Sequence, residues 1–160
     1  MLNTKQLADL IDSASRLRTR VVWLVGMPGS GKTNELKAIA AGQADCQYVN
    51  LNAALSSRLT TDSPDQQPFK AGQHLGAILS PRSTGSWLID NVEILLSRKL
   101  KIRVVDQLNS LAQQATLVVA WPGTIENGRL TYGARNHPDF MECSIDTPLV
   151  LNLNENNQGQ

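Results

Sequence analysis

The residues Gly26-Met27-Pro28-Gly29-Ser30-Gly31-Lys32-Thr33 combine spaced glycines with a terminal lysine and hydroxyl. They satisfy G-x-x-x-x-G-K-[ST] at every specified position, and the chemistry this suits is phosphate binding. Glycines let the backbone turn tightly and aim successive N–H groups at one point. A helix starting there adds its positive end to the same point. In such a loop the lysine reaches the β- and γ-phosphates and the hydroxyl binds Mg²⁺. A turn that only joined a strand to a helix would need neither Lys32 nor Thr33. All eight residues are therefore expected to bind the cofactor, ATP with Mg²⁺, and Lys32 is also expected to act in catalysis.

A metal beside Thr33 calls for a carboxylate. Asp90 ends the apolar run Trp87-Leu88-Ile89, and ligands bind at that end of the strands in a parallel sheet. Thr33 and Asp90 are the expected metal residues; the other reading of Asp90 is a cap or turn, which Asp-Asn also favours. Many P-loop ATPases carry Glu directly after this Asp to activate water, but here the residue is Asn91. An amide orients water without accepting its proton at neutral pH. Glu93 is the nearest further carboxylate, and it either reaches the site or faces solvent. Lys32, Asp90, Asn91 and Glu93 are the expected catalytic set, with slow turnover or turnover completed by a partner. Trp121, near the end of the fourth strand, offers only an indole N–H and reads better as a packing residue than as a phosphate contact.

The loop needs a strand before it and a helix after it. Val21-Val22-Trp23-Leu24-Val25 reads as a buried strand, and Leu36, Ile39 and Ala40 mark one face of a helix that Gly42 stops. Residues 3–17 read as an amphipathic helix, with Leu17 on its apolar face. Arg16, Arg18 and Arg20 read as its solvated end rather than as a phosphate or subunit contact. Further strands are expected at 47–51, 87–90 and 116–121, and a short helix over Leu55 and Leu59. Residues 60–70 read as an exposed loop, followed by a helix through Leu75, Ile78 and Leu79 that ends before Pro81. Ser97 is expected to cap a helix through Leu100, Val104, Leu108 and Leu111. Strands alternating with helices predict an α/β fold, a mainly parallel sheet with helices on both faces. Asn127-Gly128 between short flanks predicts a C-terminal hairpin, with residues 140–146 and 148–153 adding one or two strands. Residues 1–153 are expected to form a single P-loop NTPase domain and 154–160 a flexible polar tail.

With 160 residues, 41% hydrophobic and 18% charged, the chain reads as one ordinary globular domain. A net charge of +1 exerts no global pull on nucleic acid or membrane, and 4% aromatic content argues against a broad base-stacking surface. No apolar run approaches a membrane span and the N-terminus lacks a signal-peptide core. Cys46 and Cys143 read as reduced thiols of a cytoplasmic protein, and His74 and His137 as isolated surface or core-rim residues.

Over most of its length the chain resembles the BrxF family, the small P-loop proteins of BREX phage-defence systems, mainly of type III. The likeness rests on residues 22–33, on Leu88-Ile89-Asp90-Asn91-Val92-Glu93-Ile94-Leu95, and above all on a late segment. That segment is Leu117-Val118-Val119-Ala120-Trp121-Pro122-Gly123, then Gly128-Arg129-Leu130-Thr131-Tyr132, then His137-Pro138. The resemblance implies a bacterial cytoplasmic protein acting beside a large ATPase, a methyltransferase and a phosphatase-like protein. It implies an AAA-like core of strand order 5-1-4-3-2, here without a helical lid domain, and an Asp-Asn pair shared by the family.

Three functions fit. One is a Mg²⁺-dependent ATPase acting as a homo-oligomer, in which Arg82, Arg98, Arg103, Arg129 or Arg135 serves a neighbour's nucleotide. Another is a nucleotide-gated assembly or DNA-associated module with little hydrolysis of its own. Neutral charge argues against strong DNA binding by a lone subunit. The least favoured is a small-molecule kinase, with Arg98, Lys99 and Arg103 imitating a lid. No Asn-Lys-x-Asp or Thr-Lys-x-Asp motif supports a GTPase.

Overall fold

The computed structural model describes residues 2–154. In chain order the elements are α1 (Leu2–Ala14), β1 (Val21–Gly26), α2 (Lys32–Gly42), β2 (Cys46–Asn50), α3 (Leu51–Leu59), α4 (Gln67–Ile78), β3 (Ser86–Asp90), a 3₁₀ turn (Val92–Leu96), α5 (Val104–Leu111), β4 (Thr116–Pro122), β5 (Thr124–Glu126), β6 (Arg129–Tyr132), β7 (Met141–Ser144) and β8 (Val150–Asn152). Five strands form one sheet in the order β2-β3-β4-β1-β8, with every pairing parallel. β1 and β4 are adjacent within it and buried at every residue. A strand covered on both faces has no polar side, which is why these segments are continuous apolar runs.

Alternation along each strand then divides the core. Val22 and Leu24 of β1 and Val118 of β4 face α1 and α2, where Leu7, Ile11, Leu36 and Ile39 meet them. Val21, Trp23 and Val25, with Val119 and Trp121, face α3, α4 and α5 through Leu55, Leu75 and Leu108. The mixed α/β architecture with helices on both faces thus follows from residue alternation on strands that have no exposed side.

β5, β6 and β7 form a separate antiparallel sheet. The expected Asn-Gly turn is there: Asn127 and Gly128 have φ of 52° and 74°, the positive values a two-residue hairpin turn requires. The sheet has one apolar face, with Ile125, Leu130 and Cys143 packed on the core. Trp121 joins the two sheets. It is fully buried, meets Trp23 edge-on at 6.1 Å, and donates its indole N–H to Thr131 O at 2.9 Å.

Several boundaries differ from expectation. α1 stops at Ala14, leaving Leu17 48% exposed. The 60–70 loop is shorter, because α4 starts at Gln67 with Pro68 in its first turn, where a missing N–H costs nothing. Ser97 does not start α5; it closes the 3₁₀ turn, its backbone N–H donating to Ile94 O. Lys101 adopts a left-handed φ of 55°, which breaks any helix there, and α5 begins only at Val104. Residues 140–146 and 148–153 do each add a strand as expected, β7 to the hairpin and β8 to the main sheet beside β1. Asn154 belongs to the ordered domain rather than to a tail; residues 155–160 of the expected tail lie outside the described residues. Among the described residues, no helix is long and apolar enough to cross a membrane.

Trp121→Ala is expected to lower stability by about 3–5 kcal/mol, because it empties the seam between the sheets. Leu17→Ala should change it by less than about 0.5 kcal/mol. Urea unfolding of both variants measures the contrast.

Candidate functional site

β1 delivers Gly26 to the open end of the sheet, and residues 26–33 curl from there into α2. The curl is tight at its start: a Cβ on Gly26 would collide with Ser30 Oγ. At its end Gly31 is the α2 N-cap with φ 102°, and no side chain caps the helix. The first N–H groups of a helix have no partner within it, so α2 presents them, with its positive end, to whatever lies above the loop. Among the described residues Ser30 Oγ is buried without a hydrogen-bond partner. Lys32 folds back over the loop, its Nζ donating to Gly26 O at 2.6 Å and Met27 O at 3.1 Å. Partial burial pulls its pKa down, while Asp90 and Glu93 pull it back up.

One residue further, Thr33 points at the end of β3. Its hydroxyl donates to Asp90 Oδ2 at 2.6 Å, joining residues 57 apart in sequence. The Tyr48 hydroxyl donates to the same oxygen at 2.8 Å, and the Asn91 backbone N–H to Oδ1 at 3.0 Å. Asp90 is only 3% exposed, so these donors stand in for water around a buried carboxylate. Asn91 is the pivot of a sharp turn: with φ 58° it leads into the 3₁₀ turn at Val92. That turn carries Glu93 to the cavity wall, where its side chain is also exposed to solvent, so both sequence readings of Glu93 describe its position.

The cavity above the loop measures about 670 Å³, a size typical of small-molecule sites. Met27, Pro28, Gly29, Lys32 and Thr33 form one side, and Asp90, Asn91 and Glu93 another. The rest comes from Pro122, from Tyr132 at the end of β6 and from the β6–β7 connection, including His137 and Asp139. The expected site residues on the loop and at the end of β3 are therefore brought together. Trp121 is not among them, because Thr131 O takes its N–H. The candidate arginines do not line this cavity either. Arg82 stacks on Trp87 and bonds Asp45 O; Arg98 bonds Phe140 O; Arg103 pairs with Asp106. Arg129 pairs with Glu142, and Arg135 lies over Phe140.

Sequence reasoning missed three contributors. Tyr48 is one; its position near the end of the strand beside β3 was the available signal. Asn154 is another: it accepts from Met27 N and donates to Gly123 O, both at 3.0 Å, and so pins the loop to the end of β4. It sits in a polar run with no pattern to mark it. The last is the β6–β7 connection, where His137 reads as an isolated histidine until the fold brings it over the loop.

The donor set fits a phosphate ligand and a hard cation. Positive φ at Gly29 and Gly31, an uncapped helix start, a lysine and an orphaned Ser30 hydroxyl suit phosphate oxygens. Thr33 Oγ1 and Asp90 Oδ2 suit Mg²⁺. Among the described residues no group of at least three His, Cys, Asp or Glu could hold a metal ion, so such a cation would take its remaining oxygens from ligand and water.

No protein-family model matches the chain, and no curated protein matches it. A solved structure similar to it is that of C. elegans PCH-2, with 18% sequence identity and a TM-score of 0.42 over 78% of this chain. The match spans 37% of that protein's chain.

Burial first, then the hydrogen bond to Asp90 and its charge, push the Tyr48 phenol from 10.0 up to about 12. Folding thus holds the proton more tightly than the unfolded chain does. This stabilisation is complete below about pH 10 and is lost as the pH rises through about 12. In a Tyr132→Phe background, where Tyr48 is the remaining tyrosine, phenolate absorbance should appear with a midpoint near 12. Asp90→Asn should lower that midpoint.

Proposed function

We propose that this chain is a P-loop NTPase subunit that binds ATP with Mg²⁺ and hydrolyses it slowly or when a partner completes the site. One observation carries the reading: the Thr33 hydroxyl meets the buried Asp90 carboxylate at 2.6 Å beside Lys32, on the wall of one cavity. The strand order supports an AAA-like core, since β8 in the fifth place turns β2-β3-β4-β1-β8 into the order 5-1-4-3-2 read from its other edge. In this reading the N–H groups of residues 29–33 hold the phosphates. Lys32 exchanges the carbonyls of Gly26 and Met27 for phosphate oxygens. Thr33 and Asp90 would hold Mg²⁺, which would supply positive charge to offset that of the phosphates. Glu93 takes the proton of the attacking water.

Asn91 favours a second reading. Its backbone serves the turn and Asp90, and its side chain accepts no proton, so binding is better provided for than hydrolysis. A nucleotide-gated assembly module fits that balance. Among the described residues no arginine lines the cavity, and in a homo-oligomer a neighbouring copy would supply one. The resemblance to the BrxF family supports a cytoplasmic role in anti-phage defence beside other BREX proteins, the large ATPase above all, and it makes DNA a candidate partner.

Lys32→Ala is expected to abolish Mg²⁺–ATP binding in calorimetry. Glu93→Gln should leave binding intact and lower turnover by about 10²–10⁴. If Glu93→Gln turns over like wild type, the base lies elsewhere. If wild type binds ATP and changes its solution mass without measurable turnover, the assembly reading stands.

A further inference from the structure

A bound triphosphate differs from a diphosphate at its far end, so a site that tells them apart needs a donor there. Polar groups on strand ends could supply one, yet β4 ends in Trp121-Pro122, followed by Gly123. The Trp121 N–H is bonded to Thr131 O, and Thr124 is hydrogen-bonded to the Thr131 hydroxyl and lines a neighbouring cavity. Further polar side chains lining the cavity with Lys32, Thr33 and Asp90 come instead from the end of β6 and the β6–β7 connection.

His137 is fixed there by its neighbours. Its backbone N–H bonds Ala134 O at 2.9 Å and its carbonyl accepts from Phe140 N at 3.0 Å, closing consecutive turns. Its Nδ1 accepts the Asp139 N–H at 3.2 Å, and the Asp139 carboxylate lies 3.6 Å from the same nitrogen. With Nδ1 an acceptor, the neutral ring carries its hydrogen on Nε2; a protonated ring carries one there as well. In either of these states the ring carries an N–H at Nε2, and His137 is one of the residues that line the cavity.

We propose that His137 is the residue by which this site distinguishes a nucleoside triphosphate from a diphosphate, donating Nε2–H to the terminal phosphate. The inference rests on the nucleotide reading above and adds a role for the antiparallel sheet. A contact with the third phosphate would pull on the β6–β7 connection, so the state of the nucleotide would be felt in that sheet. Tyr132 is the competing donor on the same wall, but its ring packs on the core.

The test compares ADP with a non-hydrolysable ATP analogue, each with Mg²⁺, by titration calorimetry. A hydrogen bond to a charged group predicts that His137→Ala weakens analogue binding by roughly ten- to a hundredfold while ADP changes less than about twofold. His137→Gln, which keeps an N–H donor, should recover part of the loss. The side chain is 59% exposed, so both variants are expected to fold as wild type. Equal losses for both nucleotides, no loss for either, or a selective loss in Tyr132→Phe instead would overturn the assignment. In each of those cases the nucleotide reading survives, provided that wild type binds and Lys32→Ala does not. Failure of wild type to bind either nucleotide removes both.

Discussion

One buried carboxylate organises the functional end of this protein. Asp90 is almost out of water, and an ionised group there is tolerable only with donors around it. Its donors come from α2 through Thr33, from β2 through Tyr48 and from the turn at Asn91. Satisfying it therefore requires β2 to lie beside β3 and the start of α2 to pass over the strand ends. The same contacts aim negative charge at a hydroxyl next to a lysine, which is the condition for holding a cation between protein and phosphate.

The loop is held from more than one side. Lys32 clamps its entry by bonding Gly26 O and Met27 O, and Asn154 ties Met27 N to Gly123 beyond β4. Asn154 can act there only because β8 runs parallel to β1 and ends near the loop. The shortest strand of the main sheet thus contributes to the site through the residues just after it.

The antiparallel sheet has two unlike faces. Ile125, Leu130 and Cys143 pack inward, while Thr124, Glu126, Arg129 and Glu142 line a second concavity beside the loop. Trp121 couples this sheet to β1 through Trp23 and to β6 through Thr131. The end of β6 lends Tyr132 to the cavity wall, and the connection from β6 to β7 lends His137 and Asp139. Asn91 shows a related economy: one left-handed residue gives Asp90 a donor and swings Glu93 to the cavity wall.

Local chemistry was legible without coordinates wherever a short pattern carries its own mechanism. The glycines specify a tight loop that runs from a strand into a helix because their backbone freedom acts within eight adjacent residues. The apolar runs of β1 and β4 specify central strands because burial on both faces leaves no polar alternation. Asn127-Gly128 specifies a tight hairpin because both residues tolerate positive φ. Tertiary structure alone decided the rest. Whether Glu93 faced the site depended on a left-handed φ at Asn91, and the break before α5 on another at Lys101; neither residue type demands that conformation. Tyr48, Asn154 and His137 gained their roles from partners on other elements or from a cavity formed by several of them, and no periodicity in one chain encodes such meetings.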